Sequence, residues 1–549
     1  MDKGLKLRYV FLLIIGSVFL FSIHSDAQIN KGGSPYSFGI TLEDPVFIQP
    51  NQEQLRYKSD KTDKDCSAME FARYLSLGVD LQDAAWQIDE LPDASVLYRL
   101  AIYSPGAQAV GPYFKDFYIP DGASLFIYSP DHTQKYGAFT SDNNRSSGLF
   151  AIEFVLGDRF VIEYQEPKNV RGQGHFTISE VLHAYRGVYQ EDEKGYGNAG
   201  ACEVNVNCPE GSARGKQRDA VLRLLIKKDA SASWCSGSLI NNTLEDRTPY
   251  VITADHCGKN SSPENHALWM FYFHYESADC ENPLYEPEHQ TMLGCEEIAS
   301  SSNAGILGSD FYLVQLLEEI PEDYNPFFLG WNRTGLASHS GYTIHHPQGD
   351  IKKISTYTTT LKDATYQSGM ENGFWEVTWS ETESGYGVTE GGSSGSPIFD
   401  NNGYLIGTLT GGYASCNALE APDYYGKFSE HWMSNGDSED QQLMPWLDPI
   451  NSGVQKMGGI YLGIDELAAS EKLFNIQPNP VVNQLNLTFS NNASCQHIQV
   501  FNIMGRILKE YTYQGSETLH IDFSRYQKGI YFIRVESEES TQTLKVLKL

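Results

Sequence analysis

The sequence predicts a mainly β protein of several domains, and three observations carry that expectation. Tyr (33), Phe (27) and Gly (49) are abundant, the mix expected of half-buried strands joined by tight turns. Few long stretches repeat with a helical period, whereas short apolar runs bounded by Gly, Asn and Asp recur along the chain. The 549 residues exceed what one hydrophobic core can organise and suggest roughly three to four domains. With 41% hydrophobic and 20% charged residues, the chain reads as globular rather than disordered.

The N-terminus reads as a secretory signal over residues 1–27. Lys3, Lys6 and Arg8 precede the apolar run 9–23, and Ser25-Asp26-Ala27 offers small residues for cleavage before Gln28. The run is short for a membrane anchor and is followed at once by a processing site. Export permits disulfides. Seven of the nine cysteines fall between Cys202 and Cys416, with Cys66 and Cys495 outside. None forms a CxxC pair, so no structural zinc site is expected; no cofactor or metal-ligating residue is assigned, and the question of bound calcium stays open. The net charge of −30 argues against a nucleic-acid partner, because phosphate binding needs a basic surface.

Residues 28–194 form a β-rich region with strand-like runs at 96–104, 125–128 and 150–164. The last is interrupted by Gly157-Asp158, which reads as a hairpin turn between two alternating segments. No catalytic grouping is visible there. The acidic stretch 190–193 and Lys194-Gly195 mark an exposed boundary. Residues 195–459 hold strand candidates at 220–227, 250–254, 311–316 and 404–409. A polar linker, 460–472, leads to residues 473–549, where short β runs at 485–489, 498–503, 519–523, 530–535 and 544–547 suggest a small β-sandwich.

Chemistry concentrates in three segments of the middle region. Acyl transfer by serine needs a hydroxyl, an imidazole to take its proton, a carboxylate to orient the imidazole, and donors for the oxyanion. In Tyr250-Val-Ile-Thr-Ala-Asp-His256-Cys257 an apolar strand ends in small residues, so His256 emerges where a turn begins, and a bridge from Cys257 to Cys235 would pin it. In Ser309-Asp310-Phe-Tyr-Leu-Val the acid heads an apolar strand, where it can sit buried. In Gly391-Gly392-Ser393-Ser394-Gly395-Ser396-Pro397 the glycines permit a turn tight enough for the N–H groups of Gly392 and Ser394 to converge on one oxygen. Each segment alone has an ordinary structural explanation; their combination in this order points to nucleophilic catalysis.

The middle region resembles the trypsin/chymotrypsin-like serine proteases, and most closely the bacterial lysyl endopeptidases. The resemblance runs through Cys202-Glu-Val-Asn-Val-Asn-Cys208-Pro-Glu-Gly, Cys235-Ser-Gly-Ser-Leu-Ile-Asn-Asn-Thr, Thr253-Ala-Asp-His256-Cys257-Gly, Ser309-Asp310-Phe, Ile344-His-His-Pro347, Gly387 to Pro397, and Trp446-Leu-Asp-Pro449. It implies a chymotrypsin-like double β-barrel with the site in the cleft between barrels, a triad of His256, Asp310 and Ser394, an oxyanion hole at Gly392 and Ser394, and disulfides Cys202–Cys416, Cys208–Cys280 and Cys235–Cys257. Cys295 is then left over, and the pairing of Cys66, Cys295 and Cys495 stays open. Where trypsin carries an acid six residues before its nucleophile, this chain has Val388. Lysyl endopeptidases place that acid after the nucleophile, and Asp423 in Pro422-Asp423-Tyr-Tyr-Gly426 matches it. Thr410 and the strand Gly411-Gly412 would line the substrate; family members place a His where Thr410 stands.

The resemblance therefore implies a secreted or cell-surface enzyme acting on protein and peptide substrates after basic residues, Lys foremost, with residues 28–194 as a propeptide cut after Lys194. An Arg- or Glu-directed enzyme of the same fold, and a silent homologue serving as a surface adhesin, are the alternatives. The tail resembles the C-terminal sorting domain of the type IX secretion system, through Phe474-Asn-Ile-Gln-Pro-Asn-Pro480, Val500-Phe-Asn-Ile-Met-Gly505, Lys528-Gly-Ile-Tyr-Phe-Ile-Arg-Val535 and Leu544 to Leu549. That likeness implies outer-membrane secretion machinery as a partner.

Overall fold

The computed structural model describes residues 31–37, 46–47, 68–188, 197–301, 307–462, 474–477, 481–489, 496–502, 506–513, 518–536 and 541–548. The signal segment, Lys194-Gly195, Cys66 and Cys495 lie outside them. The chain divides into two units at Gly463 and Ile464.

In the first unit, strand Val221–Lys228 pairs with Ser231–Leu239, and that strand with Tyr250–Thr253, which pairs in turn with Tyr312–Leu316. Cys295–Ser300 continues the ladder from Tyr312–Leu316; beyond Gly294, Gln290–Leu293 pairs with Met270–Phe273, which returns to Val221–Lys228. The sheet thus closes on itself as a barrel. Its interior is filled by the inward residues of alternating strands, among them Leu222, Leu224, Val251, Phe271, Met292 and Val314, all buried.

A second barrel follows the order Lys353–Tyr357, Gly341–His345, Pro397–Asp400, Leu405–Gly412, Asp423–Lys427, Phe374–Val377. The Ser380 N–H donates to Thr356 O at 2.8 Å, bringing the last strand's continuation back to the first. One apolar cluster joins the barrels, with Ile240, Ile252 and Leu313 of the first against Leu329, Trp331, Ile344 and Phe399 of the second. The fold is mainly β and built as the expected double barrel.

Residues 68–188 form a two-sheet sandwich. Val96–Tyr103, Arg159–Glu166, Ser124–Tyr128 and Lys135–Phe139 make one sheet; Met69–Asp80, His175–Ala184 and Ala109–Tyr118 belong to the other. The Gly157-Asp158 turn is not a hairpin. Val155–Leu156 pairs with Ala109–Tyr118, whereas Arg159–Glu166 pairs with Val96–Tyr103, so the turn carries the chain from one sheet to the other. Local alternation marks both segments as strands but contains nothing to say that their partners differ.

The sandwich is joined to the first barrel by backbone hydrogen bonding. Met69–Asp80 pairs with Ser231–Leu239, making one twelve-stranded sheet. Phe71 stacks on Trp234 with ring centroids 4.2 Å apart, and both belong to one core with Phe154, Leu225 and Tyr272. Among the described residues four ion pairs cross the seam: Glu153 Oε2 to His289 Nε2 at 2.6 Å, Glu180 Oε2 to Lys227 Nζ at 2.8 Å, Arg145 Nη2 to Glu318 Oε1 at 2.6 Å, and the longer, exposed Lys115 Nζ to Glu264 Oε2 at 3.8 Å.

In the second unit, Phe474–Gln477, Gln484–Phe489 and Leu519–Asp522 form one sheet, and Ile507–Tyr513, Gln496–Asn502, Gly529–Glu536 and Thr541–Lys548 another. Alternate residues Leu485, Leu487, Ile498, Val500, Ile533 and Val535 meet in its core, as a β-sandwich requires. The strands Phe474–Gln477 and Ile507–Tyr513 add to those legible in the sequence. No helix among the described residues is long and apolar enough to cross a membrane.

The seam carries a pH dependence. Burial presses the pKa of His289 down, but the Glu153 carboxylate outweighs it and holds the imidazole at about 9. The stabilisation is complete below the ordinary histidine value near 6.5 and is lost as pH rises through about 9. Between pH 7 and 9.5 the wild-type Tm should therefore fall by roughly 2–4 °C more than that of Glu153→Gln, which has no such pair to lose; thermal unfolding followed by circular dichroism reads the difference.

Candidate active site

The strand Tyr250–Thr253 ends at the cleft and hands the chain to the short helix Asp255–Gly258, which presents His256. The Cys235–Cys257 disulfide ties that turn to the neighbouring strand. Asp310 sits two residues before strand Tyr312–Leu316, fully buried. Its Oδ1 accepts from the His256 backbone N–H at 3.0 Å, and its Oδ2 lies 2.9 Å from His256 Nδ1. A carboxylate only accepts, so the ring proton is fixed on Nδ1 and Nε2 is left as a base. Nε2 is buried and has no hydrogen-bond partner among the described residues.

Two further charged groups surround this pair. Lys228 Nζ donates to His256 O at 3.0 Å, and burial pushes its pKa down to about 8. Burial, then the Asp310 charge, pushes Asp255 up to about 7.

The turn bearing Ser394 comes from the second barrel and packs directly on the first. Ser236 N–H donates to Ser394 O at 2.8 Å, and Gly395 N–H to Leu409 O at 2.9 Å. The Cys257 sulfur lies 3.9 Å from the same Ser394 oxygen. Gly395 has φ +79°, and a Cβ there would lie 2.1 Å from Thr253 Oγ1, so only glycine lets the turn approach the strand that leads to His256. Ser394 is half-buried, and its hydroxyl makes no hydrogen bond to His256 Nε2, a looseness common in sites without substrate. The N–H groups of Gly392 and Ser394 make no hydrogen bond among the described residues.

Behind the turn, the loop 345–350 holds it from below. Ser236 Oγ donates to Gly392 O at 3.0 Å, and Gln348 N–H donates to Gly391 O. His345 Nε2 is 3.1 Å from Ser355 Oγ, which itself donates to Val388 O at 2.8 Å. Ser355 Oγ must therefore accept from Nε2–H, which leaves His345 Nδ1 to accept from Ser393 Oγ at 2.8 Å. Burial, then the Lys353 charge, pushes the pKa of His345 down to about 3, so the ring is neutral. It anchors the residue immediately before Ser394.

Strand Leu405–Gly412 pairs with Asp423–Lys427, Gly412 opposite Asp423. Asp423 is buried; Oδ2 accepts from Trp379 Nε1 and Thr389 Oγ1, each at 2.7 Å, and Oδ1 from Ala414 N–H at 3.2 Å. Burial raises its pKa to about 6 against the pull of these donors. A Cβ on Gly412 would sit 1.9 Å from Asp423 Oδ1, so the glycine keeps that oxygen uncovered. The register slips between Leu409 and Gly411, making Thr410 a bulge whose buried Oγ1 has no partner among the described residues.

Residues 196–426 match the family model described as Lysyl endopeptidase, C-terminal domain. The middle of this chain is lysyl endopeptidase-like. The lysyl endopeptidase of Pseudomonas aeruginosa is 27% identical over 291 residues, which cover 50% of this chain and 60% of that protein; the chain thus spans less than two thirds of the relative's length. Among solved structures, the thermostable serine protease AL20 from an extremophilic microorganism is 16% identical over 39% of this chain and 93% of its own, with a TM-score of 0.27. A Glu endopeptidase in complex with MPD is 14% identical over 43% and 94%, with a TM-score of 0.26. Residues 475–548 match the Secretion system C-terminal sorting domain, and the chain is accordingly a secreted or cell-surface protein.

In the lysyl endopeptidase-like domain, all three expected disulfides are present, Cys202–Cys416, Cys208–Cys280 and Cys235–Cys257. Cys295 is free and buried. The structure brings His256 and Asp310 into contact and sets the Ser394 turn beside them, with Thr410, Gly411, Gly412 and Asp423 on one strand pair of the second barrel. Sequence reasoning missed Trp379 and Thr389, which fix Asp423, and the link from His345 to Ser393. The run Ile344-His-His-Pro347 marked His345 as distinctive, but nothing local shows which serine it meets. Among the described residues no cluster of His, Cys, Asp and Glu has the makings of a metal site.

Proposed function

We propose that this chain is a serine endopeptidase that cleaves after basic residues, Lys before Arg, and the buried Asp423 carboxylate behind Gly412 is the observation that carries the reading. Ser394 Oγ attacks the scissile carbonyl while His256 Nε2 takes its proton, and Asp310 stabilises the imidazolium that forms. The Gly392 and Ser394 N–H groups are free to donate to the oxyanion. His256 then gives its proton to the leaving amine, the acyl-enzyme forms on Ser394, and water repeats the cycle to release the acid.

The preference for Lys follows from the occupancy of Asp423. Oδ2 is taken by Trp379 and Thr389, which leaves Oδ1, with its longer contact from Ala414, as the oxygen for a bound cation. One oxygen suits the point charge of an ammonium; a guanidinium binds best with both. A desolvated pair of this kind strongly favours the matching charge, because the carboxylate is otherwise buried alone.

Residues 28–194 are proposed as a propeptide removed by a cut after Lys194, which such an enzyme makes on itself, and the tail as the signal read by outer-membrane secretion machinery. Mature protein from the wild type should begin at Gly195 by N-terminal sequencing, and Ser394→Ala should stay uncut; identical processing in both excludes self-cleavage.

Matched fluorogenic Lys, Arg and Glu substrates test the specificity. Lys should lead, Ser394→Ala should abolish turnover, and Asp423→Asn should reduce kcat/KM for Lys by about 100-fold. As pH falls through about 6, Asp423 takes up a proton and the pair is lost. KM for Lys should then rise roughly tenfold between pH 7 and 5, a rise absent from Asp423→Asn. Equal use of all three substrates would remove Asp423 from this role.

A further inference from the structure

The N-terminal sandwich meets the first barrel at the lip of the cleft. The ladder is antiparallel, with Ser231 opposite Arg73, Ala232 opposite Ala72, Ser233 opposite Glu70 and Trp234 opposite Met69. Each step along the barrel strand toward the catalytic turn is thus a step back along the N-terminal strand. Trp234 lies two residues before Ser236, whose N–H holds the Ser394 carbonyl at 2.8 Å. The N-terminal strand therefore begins beside Ser394 and runs away from it.

Contacts at its first residues agree. A Cβ on Gly391 would lie 3.5 Å from Met69 Cβ and 3.6 Å from its sulfur. Ala68 packs against the cluster that contains Cys235, Ala254 and Cys257, the residues flanking His256 and its disulfide. Trp234 Nε1 donates to Gly187 O at 3.3 Å, fastening the end of the sandwich to the same place.

A bound peptide has two halves. The acyl half reaches Asp423 along strand Leu405–Gly412; the leaving half must pass the turn 391–394 and run, N to C, away from the serine. Residues 68–72 lie in that position and that direction, and they are held as an added strand, the usual way a protein binds an extended peptide. The acyl half of the cleft is different: Thr410, Gly411, Gly412 and Asp423 have no hydrogen bond, ion pair or ring contact with residues 68–188. The His256–Asp310 pair is already formed while the sandwich is docked.

We propose that the N-terminal domain closes the enzyme to extended peptides by occupying the leaving-group side of the cleft in the substrate's own direction, while the catalytic groups and the Asp423 pocket stand ready. This deepens the endopeptidase reading and rests on it. A cut between 188 and 197 severs the chain but none of the ladder, the Phe71–Trp234 stack or the ion pairs across the seam, so the cleft opens when the domain leaves and not when it is cut.

The test uses the full chain carrying Lys194→Gln, shown uncut by intact mass, on two substrates with the same acyl half. One is an acyl-Lys p-nitroanilide, whose leaving group is a single ring; the other is an internally quenched peptide with four residues beyond Lys. The anilide should be turned over and the peptide scarcely. Adding Glu153→Gln and Glu180→Gln, which loosens the seam outside the cleft, should raise the peptide-to-anilide ratio of kcat/KM about tenfold or more with the anilide rate unchanged. Amide exchange at 69–73 reports the loosening; should it not move, Ala72→Pro, which cannot donate into the ladder, replaces the pair. A ratio that stays constant once the strand is loosened overturns the proposal and leaves the endopeptidase reading intact. So does an anilide rate that appears only after loosening, because the domain would then be disturbing the catalytic groups themselves. Turnover of neither substrate by any form removes the endopeptidase reading on which the proposal stands.

Discussion

Asp310 holds His256 with both carboxylate oxygens, one on the backbone N–H and one on the ring. A fully buried charge is tolerated only where such bonds replace water, so the two strands that deliver these residues must end within ångströms of each other. Tyr250–Thr253 and Tyr312–Leu316 are direct partners in the first barrel, which makes the distance a property of the sheet rather than of flexible loops. The rest of the site is built outward from that fixed pair. Ser236, on the strand next to it, grips the Ser394 carbonyl, and the absence of a side chain at Gly395 lets the second barrel close onto the first.

The second barrel contributes precision of a different kind. Its polar groups near the turn are deeply buried and each is partnered: His345 with Ser393 and Ser355, Asp423 with Trp379 and Thr389, and Gly392 O with Ser236 of the first barrel. The segment that would follow a cut at Lys194 is already woven into this network. Ala199 N–H donates to Asp350 at 3.1 Å, Gly200 N–H to Glu390 at 3.0 Å, and Cys202 is bonded to Cys416. A segment docked before processing has no ordering left to perform, and the proposed control is therefore placed on the domain at the lip of the cleft.

Much of this was legible in the sequence because the signals are local. A strand that ends in small residues before His256-Cys257, an acid at the head of an apolar strand, and glycines flanking Ser394 each encode a backbone geometry within a few residues. The disulfides and the choice of Asp423 needed the family resemblance, since spacing alone does not say which cysteines pair or which acid is proposed to read the substrate. What stayed hidden is long-range. Met69 pairs with Trp234 across 165 positions, and His345 finds Ser393 across 48; neither strand carries a mark of its partner. The Gly157-Asp158 turn misled for the same reason, because two alternating strands either side of a turn look alike whether they pair with each other or with different sheets.

Covalent labelling tests the central claim most directly. A diphenyl phosphonate bearing a lysine-like side chain should be attacked at phosphorus by Ser394 Oγ with loss of one phenol, and the mass increase should map to the peptide containing Ser394. Its uncharged isostere should label far more slowly, because only the ammonium can pair with Asp423. Labelling at another residue, or equal rates for the charged and uncharged reagents, would contradict the account.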